Sequence, residues 1–227
     1  MVKIPFECLL HLMAYLRDHH NSRMAFDPSY PEIKESAFNK KADWSEFYHE
    51  AKEAIPDNAP PTRGKPVDLR LLTDSDHAGD KSNRRSRTGF FVFMNMSCID
   101  WLSKQQATVE RAVFGAEFVA SNHGIENVRG ICYKLRMMGV ELLGPTFIYG
   151  DNMSVVNNTS KSESTLRKKS NSICFHAARE SVASGESLVT HIHTHHNSAG
   201  LLTKVTYGNK RRKLVNGLLY DVYDEFE

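Results

Sequence analysis

The apolar and polar positions divide the chain into an opening helix, an irregular stretch, and a longer run of strands and helices. Leu9, Leu12, Met13 and Leu16 recur at helical spacing, with Arg17, Asp18, His19 and His20 behind them, and predict an amphipathic helix over residues 5–19. From Phe26 to Pro66 the periodicity is lost. Pro28, Pro31, Pro56, Pro60, Pro61 and Pro66, with Asp-Pro and Pro-Asp-Asn turn signals, predict a long connector interrupted by one short helix at 45–54. Alternation begins at Val67: Leu69, Leu71 and Thr73 face one way, Asp68, Arg70 and Leu72 the other. That strand breaks at Ser75, His77 and Gly79, which leaves Asp74 at its end. Residues 88–95 and 98–105 read as two further strands, and three strands joined by short turns imply an antiparallel meander.

Val109, Val113 and Glu117 then lie four apart, beside a stripe of small residues, Ala112, Ala116, Ala120 and Gly124. Such a stripe predicts a helix lying close on a sheet, with a break near Gly124 and an end at Gly139. Residues 145–151 form a short apolar strand ending in Asp151, and residues 152–157 start a helix. A helix at 172–184, a strand at 188–195 and a last helix at 198–204 follow. The order predicts an α/β fold with a mixed sheet, in which sites form where strand ends meet helix starts. Phe90, Phe91, Phe93 and Trp101 read as core.

The composition of the 227 residues, 41% apolar and 25% charged, is that of an ordinary globular chain with one good-sized core. A formal net charge of only +2 means that a nucleic-acid partner would be met by local basic patches. Arg84, Arg85 and Arg87 form one such patch, and Lys161, Arg167, Lys168 and Lys169 another. The run Lys210–Lys213 has no role assigned from sequence. Four scattered cysteines, Cys8, Cys98, Cys132 and Cys174, argue against a zinc knuckle or a disulfide framework and fit a reducing compartment. The run from Ile4 to Leu16 is too short and too interrupted to span a bilayer or to serve as a signal peptide, so no membrane association is expected.

The chemistry concentrates on carboxylates. Asp74 and Asp151 end strands and Glu117 sits on the helix between them, so packing that helix across two neighbouring strands would gather all three. Two carboxylates about 4 Å apart repel by roughly 4 kcal/mol at an effective dielectric of 20, and a divalent cation relieves this. Oxygen ligands of this kind suit Mg²⁺ or Mn²⁺. A solvated acidic turn is the plain alternative for residues 74–80 taken alone, and Asp76 and Asp80 read as supporting or surface acids. His191, His193, His195 and His196 alternate like zinc ligands but have no cysteine nearby, and structural or solvated histidines are the simpler reading.

These residues resemble the ribonuclease H domain at the end of a copia-type retrotransposon polyprotein. The likeness lies in Thr73-Asp74-Ser-Asp76-His-Ala-Gly-Asp80, Arg84-Arg-Ser-Arg-Thr-Gly89, Trp101-Leu-Ser-Lys-Gln105, Ala116-Glu117-Phe118-Val-Ala120, Tyr149-Gly-Asp151-Asn152 and Asn197-Ser-Ala-Gly200-Leu-Leu-Thr-Lys204. The resemblance implies a ribonuclease H-like mixed five-stranded sheet flanked by helices. It divides the chain into a helix left from the end of a reverse transcriptase (1–20), a connector (21–65), the ribonuclease H-like domain (66–207) and a charged tail (208–227). It implies a Mg²⁺-dependent hydrolase, with Mn²⁺ as a substitute, that cuts the RNA strand of an RNA/DNA hybrid during reverse transcription. Asp74, Glu117 and Asp151 would be catalytic metal ligands, and Arg84, Arg85, Arg87, Lys168 and Lys169 would bind the hybrid. His195 or His196 would carry a proton at the scissile phosphate, and the reverse transcriptase portion of the polyprotein would be a partner. The expected location is intracellular, in the cytoplasm or nucleus. Two departures stand out: the family's fourth acid is Gly200 here, and its acid two residues before Glu117 is Gly115. A catalytically dead remnant that at most binds nucleic acid is therefore the rival reading.

Overall fold

The computed structural model describes residues 6–166 and 171–221. Helix α1 (Phe6–Asp18) and a short strand β1 (Ser22–Met24) lead into residues 25–66, which hold a 3-10 turn at Glu35–Ala37. The helix expected at 45–54 is instead a pair of isolated turns. The main sheet comprises β2 (Leu69–Ser75), β3 (Arg87–Met94), β4 (Ser97–Gln105), β5 (Thr146–Gly150) and β6 (Ser187–His191), ordered β4-β3-β2-β5-β6. The first three strands form the antiparallel meander, whereas β5 joins β2 and β6 joins β5 in parallel. Helices α2 (Val113–Met137), α3 (Met153–Ser160) and α4 (Ser172–Ala183) flank it, giving the mixed five-stranded sheet with flanking helices that the resemblance implied.

The period-two pattern explains how the sheet's faces differ. Leu69, Leu71, Phe90, Val92, Ile148 and Val189 point into the main core, against Phe118, Ile125 and Val128 of α2 and Phe175, Ala178 and Val182 of α4. Helix α2 lies close on β2 because position 124 is glycine: a Cβ there would come within 2.9 Å of Leu71. The helix passes through Gly124 without the expected break. The opposite face carries Leu72, Phe91, Phe93 and Tyr149, covered in part by a 3-10 turn, Ser198–Leu202, and by Leu218. Trp101, read as core from sequence, is 52% exposed on the outer strand β4.

The irregular segment is not free of the sheet. Phe38 is buried against Phe147 and Tyr149, with ring centroids 5.0 and 5.7 Å away, and the Thr190 hydroxyl donates to the Ala37 carbonyl at 2.7 Å. Trp44 and Phe175 sandwich the Arg179 guanidinium at 4.8 and 4.7 Å. Helix α1 forms as its periodicity requires, but Leu9, Leu12, Met13 and Leu16 all remain exposed. Beyond the closing turn the chain adds a helix not expected from sequence, α5 (Gly208–Asn216), and a strand β7 (Leu219–Asp221) antiparallel to β1. Among the described residues no helix is long and apolar enough to cross a membrane.

Candidate metal centre

The parallel register of β2 and β5 sets Thr73 opposite Gly150, so the next residues, Asp74 and Asp151, leave neighbouring strands at the same rim. Neighbouring strands run about 4.8 Å apart. The Asn152 side chain, which caps α3 by accepting from the Ser154 and Val155 amides at 3.0 and 3.3 Å, fixes the backbone just after Asp151. Close packing of α2 on β2 then brings Glu117 over the same rim. One carboxylate oxygen from each of Asp74, Glu117 and Asp151 lies within 4.8 Å of the others, and among the described residues this is the sole acid, histidine or cysteine group so gathered.

The acid cluster is electrostatically expensive. Asp74 and Glu117 are almost fully buried, 1% and 5% exposed. Burial first, then the charges of Asp74 and Asp151, push the Glu117 pKa up to about 8; the Lys204 ammonium and the buried Ser75 hydroxyl nearby offset this in part. Burial also raises the pKa of Asp74, against contacts from Lys204 and Thr203 that lower it. Three negative charges cannot coexist here without a cation. An all-oxygen, partly buried donor set under that charge stress fits a hard divalent ion of the Mg²⁺ or Mn²⁺ kind.

In this structure the counter-charge comes from the chain itself. Lys204 Nζ donates to Asp74 Oδ1 at 2.6 Å, and the Thr203 hydroxyl donates to Asp74 Oδ2. Burial alone would lower the Lys204 pKa, but Asp74, Asp151 and Glu117 together raise it. Asn197 positions this segment: its amide donates to the Thr73 carbonyl at 2.8 Å and its oxygen accepts from the Ala199 amide at 3.2 Å. Close approach is possible because Gly89 pairs with Asp74 across the sheet. A Cβ on Gly89 would lie 2.6 Å from Thr203 and 2.9 Å from Leu202. Thr203, Lys204 and Asn197 belong to the closing motif, but the sequence pattern assigns them no role; a lysine following a turn that must dock beside an acid is the signal that points to them.

Gly200 lines the cavity that holds Asp74, Asp151 and Lys204, and an added Cβ there meets nothing within 4 Å. The space beside Gly200 is therefore open to a larger side chain. At Gly115 the opposite holds, because the Glu110 carboxylate, bound by Asn171 at 3.2 Å, stands 2.3 Å from where a Cβ would be.

The remaining sequence candidates separate. Arg87 lines a cleft beside the acids together with Thr203 and Lys204, whereas Arg84 and Arg85 sit exposed in the β2–β3 loop. Asp76 accepts from the Arg87 amide, and Asp80 accepts from Ser82 and from Gln105 at 2.6 Å, so both brace that loop away from the cluster. The Ser82 and Gln105 contacts hold the Asp80 pKa down at about 2. Lys168 and Lys169 lie outside the described residues. Strand β6 stops at His191, short of the expected 195, so the histidine alternation is lost. His193 stacks on His195 at 5.1 Å, and His195 and His196 line a separate cleft with Lys210 and Lys213.

No family model matches the chain. It is 32% identical over 142 residues to the retrovirus-related Pol polyprotein from transposon RE1 of Arabidopsis thaliana, a match covering 63% of this chain and 10% of that protein. Over the same length it is 31% identical to the corresponding polyprotein from transposon TNT 1-94 of Nicotiana tabacum, covering 63% and 11%. The chain thus spans about a tenth of the length of these two polyproteins. Among solved structures it is similar to LC11-RNase H1 in complex with an RNA/DNA hybrid, at 15% identity, a TM-score of 0.48, and coverage of 60% of this chain and 93% of that one.

Proposed function

We propose that this ribonuclease H-like chain, whose homologues are retrovirus-related Pol polyproteins of transposons, is the nuclease domain of a copia-type element and hydrolyses the RNA strand of RNA/DNA hybrids. The observation that carries the reading is the convergence of Asp74, Glu117 and Asp151 at one rim of the sheet. Asp74 and Asp151 would hold a divalent ion from two strand ends and Glu117 from the helix above. When bound, such an ion supplies the charge that activates a water and stabilises the oxygen leaving phosphorus. The residues themselves fix the place of that charge: Asp74 is immobilised by its strand, Asp151 by the capped turn behind it, and Glu117 by the packing of α2. A divalent ion would take over the neutralising part now played by Lys204, freeing the ammonium for a substrate phosphate. His195 and His196, either of which is expected from the resemblance to carry a proton at the scissile phosphate, line the neighbouring cleft rather than the one with the acids, and their role in this reading is to contact the substrate's phosphates there.

The rival reading, a domain that binds hybrid without cutting it, is favoured by two specific observations, the empty side-chain position at Gly200 and the Lys204 contact on Asp74. Incubation of purified protein with a labelled RNA/DNA hybrid and Mg²⁺, then Mn²⁺, decides between them. Cleavage should fall about a hundredfold or more in Asp74→Asn, since removing a metal ligand forfeits several kcal/mol of charge stabilisation. Binding without cleavage would leave the binding-only reading, and cleavage indifferent to that substitution would mean that the acid cluster does not carry the activity.

A further inference from the structure

Helix α5 lies next to the acid rim, and its sequence, Gly-Asn-Lys-Arg-Arg-Lys-Leu-Val-Asn, carries four cations and no acid. One buried side chain, Leu214, anchors it, and among the described residues none of Lys210, Arg211, Arg212 or Lys213 is within ion-pairing distance of a carboxylate. Three clefts meet along this helix. The first, about 380 Å³, is lined by Arg87, Lys204 and Arg211. The second, about 220 Å³, holds Asp74 and Asp151 and shares Lys204 with the first. The third, about 510 Å³, holds His195, His196 and Lys213, and shares Lys210 and Leu214 with the second. Through these shared side chains the three clefts adjoin as one trough, basic at both ends, with Asp74 and Asp151, two of the three acids, in its middle. Arg212 lines none of the three.

From this arrangement we infer that α5 is a phosphate-binding wall that seats one polynucleotide strand across the acid cluster, with Arg211, Lys210 and Lys213 taking successive phosphates. The inference rests on the nuclease reading above and adds to it which strand-holding surface the protein uses. Charges spaced along a trough suit a polyanion of regular spacing, and backbone contacts of this kind fix register without reading sequence. The acids at the centre of the trough would repel a phosphate by themselves, so a flanking cation on each side is what allows one phosphodiester to stop there. Arg211 is steadied for this by the Tyr15 ring, 5.1 Å away, which links the exposed helix α1 to the same surface.

The test measures hybrid binding by fluorescence anisotropy in EDTA, from 50 to 300 mM salt, with the full chain. Lys210→Gln, Arg211→Gln and Lys213→Gln combined should weaken binding at least tenfold at 100 mM salt and flatten the slope of log affinity against log salt by roughly two to three, about 0.7 to 0.9 per lost phosphate contact. Arg212→Gln on the same helix, and Lys52→Gln with Lys134→Gln near the far end of α2, should match the wild type. All substituted positions are exposed or half-exposed, and unchanged circular dichroism and melting temperature would show that the fold survives. Wild-type binding retained by the triple variant overturns the role of α5 while leaving the nuclease reading standing. Equal losses in the Lys52/Lys134 pair overturn it too, because net charge alone would then account for affinity. No hybrid binding by the wild type overturns both.

Discussion

The two faces of the sheet are built by different means. On the helical face, Leu71 and Phe118 are fully buried among side chains from two layers, and Glu117 is held in place by that same packing. On the other face a five-residue 3-10 turn and a few side chains do the covering, and they bring Thr203 and Lys204 against Asp74. Glu117 thus stands on the rigid side, whereas Asp74 meets it at the rim from the lightly held side, which also supplies its present counter-charge. A site divided in this way keeps its ligand positions while its cation can change.

The largest effect that separates the faces is on stability. Phe118→Ala should cost about 3–5 kcal/mol, the usual cost of removing a fully buried aromatic ring, whereas Leu202→Ala in the half-buried turn should cost less than about 2 kcal/mol. Urea unfolding of both variants measures the difference. Equal losses would mean that the turn is as deeply integrated as the core, and the contrast between faces would fail.

A smaller effect sharpens the contrast at the site. Gly200→Asp fills open space with a fourth carboxylate and should tighten Mn²⁺ binding about tenfold, equivalent to about 1.4 kcal/mol. Titration followed by the electron paramagnetic resonance signal of free Mn²⁺ reads it. An unchanged affinity would show that the missing acid is not what limits the site.

The pH dependence is subtler and has a definite sign. With its pKa raised to about 8, Glu117 keeps in the folded protein a proton that the unfolded chain releases near its ordinary value of 4.5. Its contribution to stability is therefore complete below about pH 4.5 and is lost as pH climbs toward 8. Unfolding in EDTA at pH 5.5 and 8.5 should show the wild type less stable at the higher pH and Glu117→Gln less affected. Mn²⁺ should bind more tightly at pH 8.5, where that proton no longer has to be displaced. A wild type equally stable at both pH values would mean that Glu117 does not feel its neighbours.

The same division explains what could be read from the chain beforehand. Alternation at Leu69–Thr73 and the small-residue stripe from Ala112 to Gly124 are consequences of burial, so the strands, α2 and the gathering of three acids were legible. The last helix expected at 198–204 is a short 3-10 turn over Ser198–Leu202, and its docking was not legible, because its contact with Asp74 depends on Gly89, fifteen residues further along on a different strand. Helix α5 has a single buried apolar residue, which leaves no stripe to detect. Trp101 differs for a related reason: a large aromatic on a strand reads as core, but on the outer strand β4 it is only half covered. The histidines at 193 to 196 looked like a strand because they alternate, yet backbone pairing ends at His191.

The most direct trial of the central claim, that Asp74, Glu117 and Asp151 jointly grip one cation, is the Mn²⁺ binding isotherm of the wild type beside those of Asp74→Asn, Glu117→Gln and Asp151→Asn at pH 8. One ion bound by the wild type, and weakened at least tenfold by each of the three substitutions, is the expected result. Wild-type protein that takes up no Mn²⁺, or binds it just as well after all three changes, would contradict it.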